Sequence, residues 1–150
     1  VARIERTVRI AAPPEEVFAY VADFRTLKEY NPSVRGVRVL QDMPGGQGSR
    51  FELTLRMAAL TMRPVLTVTE VRAPVLIRTR VDTWMSATET RLFRQVGRET
   101  ELTFLIEFAS GLPMVGSLVD CALRKLFAEP QARAELRRLK ARFAPAPAQR

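Results

Sequence analysis

Hydrophobic and polar positions alternate from the start of the chain: Ile4, Val8 and Ile10 share one face, while Arg3, Glu5, Thr7 and Arg9 share the other. A period of two predicts a half-buried strand, with Arg6 as a polar intrusion on its apolar side. Ala12-Pro13-Pro14-Glu15-Glu16 then opens a helix. Pro14 sits near the first helical position, where a missing N–H costs nothing, and the two glutamates complement the positive end of the helix dipole. Val17, Val21 and Phe24 recur at helical spacing with Phe18 beside them, which gives this helix one buried face. A second short helix is predicted near Thr26 to Tyr30, stopping at Asn31-Pro32 because the residue before proline is pushed out of the helical region.

From Ser33 to Ala109 the pattern becomes strands separated by turn signals. Val37 and Val39 begin one strand, which ends at the cluster Asp42-Met43-Pro44-Gly45-Gly46. Phe51, Leu53, Leu55 and Met57 share a face of the next. Another strand is predicted near Pro64 to Val71. Ile77, Thr79 and Val81 form the apolar side of a fifth, with Arg78, Arg80 and Asp82 outward. In the following segment Trp84, Ser86, Thr88, Thr90 and Leu92 alternate against Met85, Ala87, Glu89, Arg91 and Phe93. Gly97 marks a turn into Leu102, Phe104, Ile106 and Phe108, the clearest apolar face in the chain.

After Gly111-Leu112-Pro113 a long helix is predicted, with a first apolar stripe of Val115, Leu118, Val119, Ala122, Leu123, Leu126 and Phe127. A second stripe holds Ala132, Leu136, Leu139 and Phe143. Ten residues from Leu126 to Leu136 turn an ideal helix by about 1000°, roughly 80° short of closing on one face. Pro130 lies between the stripes and is placed to kink the axis and realign them. The order is strand, two short helices, six strands, long helix. Six strands with short connections form an antiparallel meander, and one sheet with one apolar-striped helix must bury the two against each other. The fold class is therefore α+β, a curved antiparallel seven-stranded sheet around a long C-terminal helix. Residues 1–143 form one domain, and 144–150 an Ala/Pro tail that cannot continue the helix.

Composition narrows the chemistry. The 150 residues contain one cysteine, Cys121, and no histidine. A disulfide within the chain, a His- or Cys-based zinc site and any imidazole-dependent triad are excluded, and no cofactor is indicated. Acid–base work would fall to Asp, Glu, Tyr, Lys or Arg. The net charge is +8, and residues 111–150 hold eight basic groups against three acidic ones. No nucleic-acid recognition motif accompanies the charge, so a nucleic-acid partner is not expected. Arg78, Arg80, Arg133, Arg137 and Arg138 read either as a solvated face or as a surface for peripheral contact with an anionic membrane. No apolar run reaches the roughly 18 residues of a membrane-spanning helix. Arg3, Glu5 and Arg6 stand where a signal peptide carries its apolar stretch, so the expected location is cytoplasmic.

The order of these segments resembles the START-like or SRPBCC superfamily, the helix-grip fold of START domains, birch-pollen-type allergens and bacterial polyketide cyclases. Four pieces carry the likeness: the first strand running into Ala12-Pro13-Pro14-Glu15-Glu16-Val17-Phe18; Phe24-Arg25-Thr26-Leu27-Lys28-Glu29-Tyr30-Asn31-Pro32; Gly48 before Phe51; and Leu112-Pro113-Met114-Val115-Gly116 leading into the long helix. The resemblance implies a ligand cavity between the concave sheet face and the long helix. Carried onto this chain, its lining would be Phe51, Leu53, Leu55, Met57, Thr79, Trp84, Ser86, Thr88, Thr90, Phe104 and Ile106, with Leu118, Val119 and Ala122 from the helix. Tyr30 would flank the mouth. The hairpin at Gly45 and Gly46 and the loop Gly111 to Gly116 would be gates.

Hydroxyls are the most informative local feature. Ser86, Thr88 and Thr90 in one strand and Thr79 in its neighbour interrupt faces that should be apolar, and buried hydroxyls need partners that a cavity with water or a polar ligand group supplies. Two alternatives stay open: threonine simply favours strands and bonds a nearby carbonyl, or the 84–93 strand faces the other way and buries Glu89 and Arg91 as a pair. Trp84 is either a ligand-capping ring or the end of an ordinary core. No catalytic constellation stands out. The expected function is binding of a hydrophobic small molecule, a lipid, isoprenoid or polyketide-like compound. The alternatives are a polyketide cyclase, aromatase or dehydrase, with Tyr30, Ser86 and Thr88 as counterparts in type but no Arg assured inward, and a macromolecule-interaction module using the basic helix face. Nothing in the sequence sets the oligomeric state.

Overall fold

A computed structural model describes residues 2–57, 59–83, 86–109, 121–122 and 124–145, the side chains of Ala2, Ala109 and Phe127 excepted. Strand β1 (Ala2–Ile10) leads into α1 (Pro14–Ala22), a 3-10 turn (Phe24–Thr26) and the single-turn helix α2 (Leu27–Tyr30). Seven strands follow: β2 (Val34–Gln41), β3 (Arg50–Met57), β4 (Leu60–Met62), β5 (Val65–Arg72), β6 (Leu76–Asp82), β7 (Ser86–Val96) and β8 (Glu99–Ala109). A π-helical turn (Arg124–Ala128) precedes the terminal helix α3 (Glu129–Arg142).

All pairings are antiparallel and the strand order is β1-β8-β7-β6-β5-β3-β2, with the short β4 pairing β3. The sheet thus has eight strands, one more than the sequence pattern predicts. Leu60–Met62 turns back on Leu55–Met57 before the chain reaches β5, and three residues are too few to leave an alternation signal. Register shifts at Val34/Gly36, Val39/Gln41 and Val68/Glu70 add local bends, and bulges of this kind curl a sheet. The β2–β3 hairpin takes its sharp path through Gly46 and Gly48, both at φ +91°, a conformation that a side chain would strain.

The concave face buries Ile4, Ile10, Phe51, Leu53, Leu66, Val68, Ile77, Phe93, Leu102 and Phe104. Val17 and Val21 of α1, together with Phe24, Leu27 and Tyr30, close one end. Arg6, the polar intrusion in β1, reaches to 3.8 Å from Glu129 at the start of α3. The second apolar stripe packs as the 3.6-residue period requires, with Ala132, Leu136 and Leu139 buried. The first does not continue it: Ala122 is exposed, and Leu126 is 68% exposed. The phase change falls in the π turn. Pro130 offers no N–H to the carbonyl four residues earlier, and a π turn takes up an extra residue there, so the residues before it lose the facing of those after it. Leu118 and Val119, the Gly111 to Gly116 loop and most of the Ala/Pro tail lie outside the described residues.

Candidate functional site

Strand β8 sets what its neighbour can bury. Leu102, Phe104, Ile106 and Phe108 all face inward and are buried. The hairpin turns at Gly97, with Val96 opposite Glu99, and this register places Phe93 opposite Leu102, Arg91 opposite Phe104 and Glu89 opposite Ile106. Directly opposed residues share a face, so Ala87, Glu89, Arg91 and Phe93 point inward. Ser86, Thr88 and Thr90 therefore lie on the outer face, which corrects their assignment to the cavity lining. A one-residue difference in facing moves a whole strand's side chains. Their hydroxyls belong to outer-face contacts: Arg78 Nε donates to Thr90 Oγ1 at 3.2 Å, and Ser86 Oγ donates to Asp82 Oδ1 at 3.0 Å.

The remaining lining positions divide plainly. Phe51, Leu53, Thr79, Phe104 and Ile106 are buried on the inner face, and Leu55 and Met57 are half-buried along the same strand. Ala122 is exposed and so does not line an interior. Trp84, Leu118 and Val119 lie outside the described residues. Tyr30 is buried rather than placed at a mouth, 1% exposed, with its ring centre 5.8 Å from that of Tyr20.

Around Arg91 the inner face becomes a polar cluster inside an apolar shell. The Arg91 side chain is 1% exposed. Its Nη2 donates to Glu89 Oε2 at 3.2 Å and lies 3.8 Å from Glu135 Oε1, which α3 supplies from the other layer. Its guanidinium carbon stands 4.5 Å from the Phe104 ring centre and 5.8 Å from that of Phe24. Asn31 Nδ2 donates to Glu135 Oε1 at 3.1 Å, while Asn31 Oδ1 accepts from the Ser33 amide at 3.0 Å and from Gln131 Nε2 at 3.2 Å. This network pins α3 to the turn after α2 and fixes where the Glu135 carboxyl sits.

Electrostatics follow from burial. Burial pushes the Glu135 pKa up to about 7, and Glu89 adds to that rise, against the opposing pull of Arg91 and the Asn31 hydrogen bond. Burial alone would lower the Arg91 pKa, but Glu89, Tyr30 and Glu135 more than offset it, and the guanidinium stays charged. Burial also raises the Tyr30 pKa, so its phenol keeps its proton. Five buried polar atoms have no hydrogen-bond partner among the described residues: Arg124 Nε in the π turn and, in the interior, Tyr30 Oη, Thr79 Oγ1, Arg91 Nε and Arg91 Nη1. Interior polar groups are rarely left so. Two guanidinium N–H donors, two hydroxyls and a near-neutral carboxyl thus converge on one region of the inner face. Among the described residues no group of acidic or cysteine side chains could hold a metal ion.

A cleft of about 340 Å³ opens beside this cluster, between α1 with its following turn and the β2–β3 and β5–β6 hairpins. Phe18, Phe24, Phe51, Val68, Val71 and Ile77 form its apolar walls, and Asp42, Gly45 and Gly46 of the glycine-rich hairpin stand at one side. Phe24 belongs to both regions: it lines the cleft, packs its ring centre 5.5 Å from that of Phe51 and faces Arg91. Of the six apolar wall residues the sequence reading assigns only Phe51 to a ligand lining. It holds the inward pair Glu89 and Arg91 only as the alternative facing of β7, and Glu135 it does not single out, because charged residues read as solvent-facing by default.

Comparison with known proteins agrees with this architecture. No curated protein matches the sequence. A START superfamily protein from Mycobacterium smegmatis superposes with a TM-score of 0.77 at 19% identity, over 94% of this chain and 96% of that one. The Zhui aromatase/cyclase from a Streptomyces species superposes with a TM-score of 0.79 at 17% identity, over 94% and 92%. The di-domain aromatase/cyclase StfQ of the steffimycin pathway gives 0.75 at 14% identity, with 95% of this chain covering 50% of that one. These likenesses establish the helix-grip fold. The profile of the family described as polyketide cyclase / dehydrase and lipid transport matches residues 1–144, and the chain belongs to that family.

Proposed function

We propose that the protein binds a hydrophobic small molecule carrying one or more carbonyl oxygens, held between the concave sheet face and α3. The carrying observation is Arg91, a buried cation with two N–H groups that lack hydrogen-bond partners among the described residues. Apolar surface from Phe24, Phe51, Ile77 and Phe104 would drive binding at roughly 25 cal/mol per Å² buried, and Arg91, Thr79 and Tyr30 would set orientation by donating to ligand oxygens. The net charge of the cluster favours a carbonyl over a carboxylate, because Glu89 already lies against the guanidinium. Native mass spectrometry of gently purified protein tests this. A co-purified oxygenated apolar compound, lost in Arg91→Met, is the expected result; ligand retained at full occupancy in that variant would overturn the role of Arg91.

A second reading, cyclisation or dehydration of a poly-β-ketone, is favoured by one further observation. The buried Tyr30 hydroxyl keeps its proton, and Glu135 titrates at about 7, so a donor and a near-neutral acid–base group stand in the same interior. Incubation with a carrier-bound poly-β-ketone would then yield a product lighter by water, and Glu135→Gln would slow its formation.

A further inference from the structure

Exposed cations with no side-chain partner among the described residues occur in both layers, Arg9, Arg35, Arg50 and Arg56 on the sheet included, and the layers differ in how their cations are arranged. On the sheet, Arg38, Arg80 and Arg94 each lie against a carboxylate, at 3.2 Å from Glu52, 2.8 Å from Asp82 and 2.9 Å from Glu101. On α3, Arg133, Arg137, Arg138 and Lys140 are all exposed and have no ion-pair or hydrogen-bond partner among the described residues. The two acidic residues of that helix do not reach them. Glu129 is engaged by Arg6 and Arg124, and Glu135 is buried against Arg91. Arg133, Arg137 and Lys140 stand at i, i+4 and i+7, which places them in one row along the solvent side.

We infer that this outer face of α3 docks on an anionic lipid bilayer. Uncompensated cations in a row along one helix complement a negatively charged surface. Single-stranded nucleic acid fits less well, because among the described residues no aromatic ring is exposed for bases to stack on. Contact is at the surface of the bilayer, since among the described residues no helix is long and apolar enough to cross one. The inference extends the reading of an apolar ligand and rests on it: a compound with little solubility in water resides in membranes, and α3 supplies Glu135 to the Arg91 cluster of the proposed site.

Co-sedimentation with vesicles of phosphatidylcholine alone, and of phosphatidylcholine doped with phosphatidylglycerol, tests it. The expected result is binding only to the anionic vesicles, weakened by added salt. The triple variant Arg133→Gln, Arg137→Gln, Lys140→Gln should bind about 100-fold more weakly. A control triple, Arg38→Gln, Arg80→Gln, Arg94→Gln, removes the same charge from the sheet and should bind nearly as the parent does. Equal losses in both triples, or retention on heparin or on an acidic carrier protein without vesicle binding, would overturn the inference. Native mass spectrometry keeps the two proposals apart: the α3 triple should retain co-purified ligand even as vesicle binding falls.

Discussion

The guanidinium carbon of Arg91 lies 4.5 Å from the centre of the Phe104 ring, and the two residues are direct cross-strand partners in the β7–β8 register. With the Phe24 ring 5.8 Å away as well, the cation is placed among aromatic rings instead of water. A desolvated cation–π contact is worth about 2 kcal/mol, too little by itself to offset the burial of a charge, so the carboxyls of Glu89 and Glu135 are needed. Arg91→Met should therefore destabilise the fold by about 3–5 kcal/mol at pH 8, where both carboxyls lose their counter-ion. The loss should shrink at pH 5, where Glu135 takes a proton. Adding Glu135→Leu should restore much of the stability. Urea unfolding at both pH values checks this, and an equal loss at the two would contradict it.

Glu135 links stability to pH with a definite sign. Its pKa rises from the ordinary 4.5 to about 7 on folding, so the folded state holds a proton that the unfolded chain has already released. The associated stability is fully present below pH 4.5 and is lost as pH rises to about 7, with little change above. The size of the effect is about 3 kcal/mol. Glu135→Gln cannot titrate, so the stability of the parent relative to this variant should fall across that window. Thermal unfolding from pH 4 to 8 gives the difference directly. Parallel curves would mean that Glu135 titrates normally in the fold.

Much of this arrangement is legible before any coordinates. The β8 face of Leu102, Phe104, Ile106 and Phe108 is plain from alternation, and so is Thr79 between Ile77 and Val81. The facing of β7 is harder, because both of its faces mix apolar and polar residues. Leu92 reads as core yet is 38% exposed, while Arg91 reads as surface and is buried. A signal was nonetheless present. A two-residue turn at Gly97 and Arg98 pairs Val96 with Glu99, and counting back from there puts Arg91 opposite Phe104. Periodicity within one strand cannot decide between two mixed faces, whereas the hairpin register, set by the turn, can. Glu135 is less accessible still: the helical stripe of Ala132, Leu136 and Leu139 flanks it, but only tertiary contact reveals the Arg91 that makes its burial tolerable.

Thr79 and Thr88 separate the two faces experimentally. Thr79 Oγ1 is buried with no hydrogen-bond partner among the described residues, and Thr88 lies on the outer face opposite Arg80. Thr79→Val keeps the shape and removes the unsatisfied hydroxyl, so ligand-free protein should gain about 1–2 kcal/mol while affinity for an oxygenated ligand falls. Thr88→Leu should leave ligand binding unchanged. A Thr88→Leu variant with altered ligand choice would place β7 the other way round.

Asn31 is the hinge pin between the two layers. It donates to Glu135 at 3.1 Å and accepts from Ser33 and Gln131, and Ser33 Oγ in turn lies 3.0 Å from Gln131 Oε1. Asn31→Ala removes the hydrogen bond that helps the Glu135 carboxyl ionise, so the pKa of that group should rise further and the fold should lose about 2–3 kcal/mol at pH 8. Gln131→Ala, at a half-buried position, should cost less. Because both side chains share one network, the double variant should cost less than the two single losses combined, with a coupling of about 0.5–3 kcal/mol. Strict additivity would show that the Asn31–Gln131 contact carries no energy, and that α3 is held by the packing of Ala132, Leu136 and Leu139 alone.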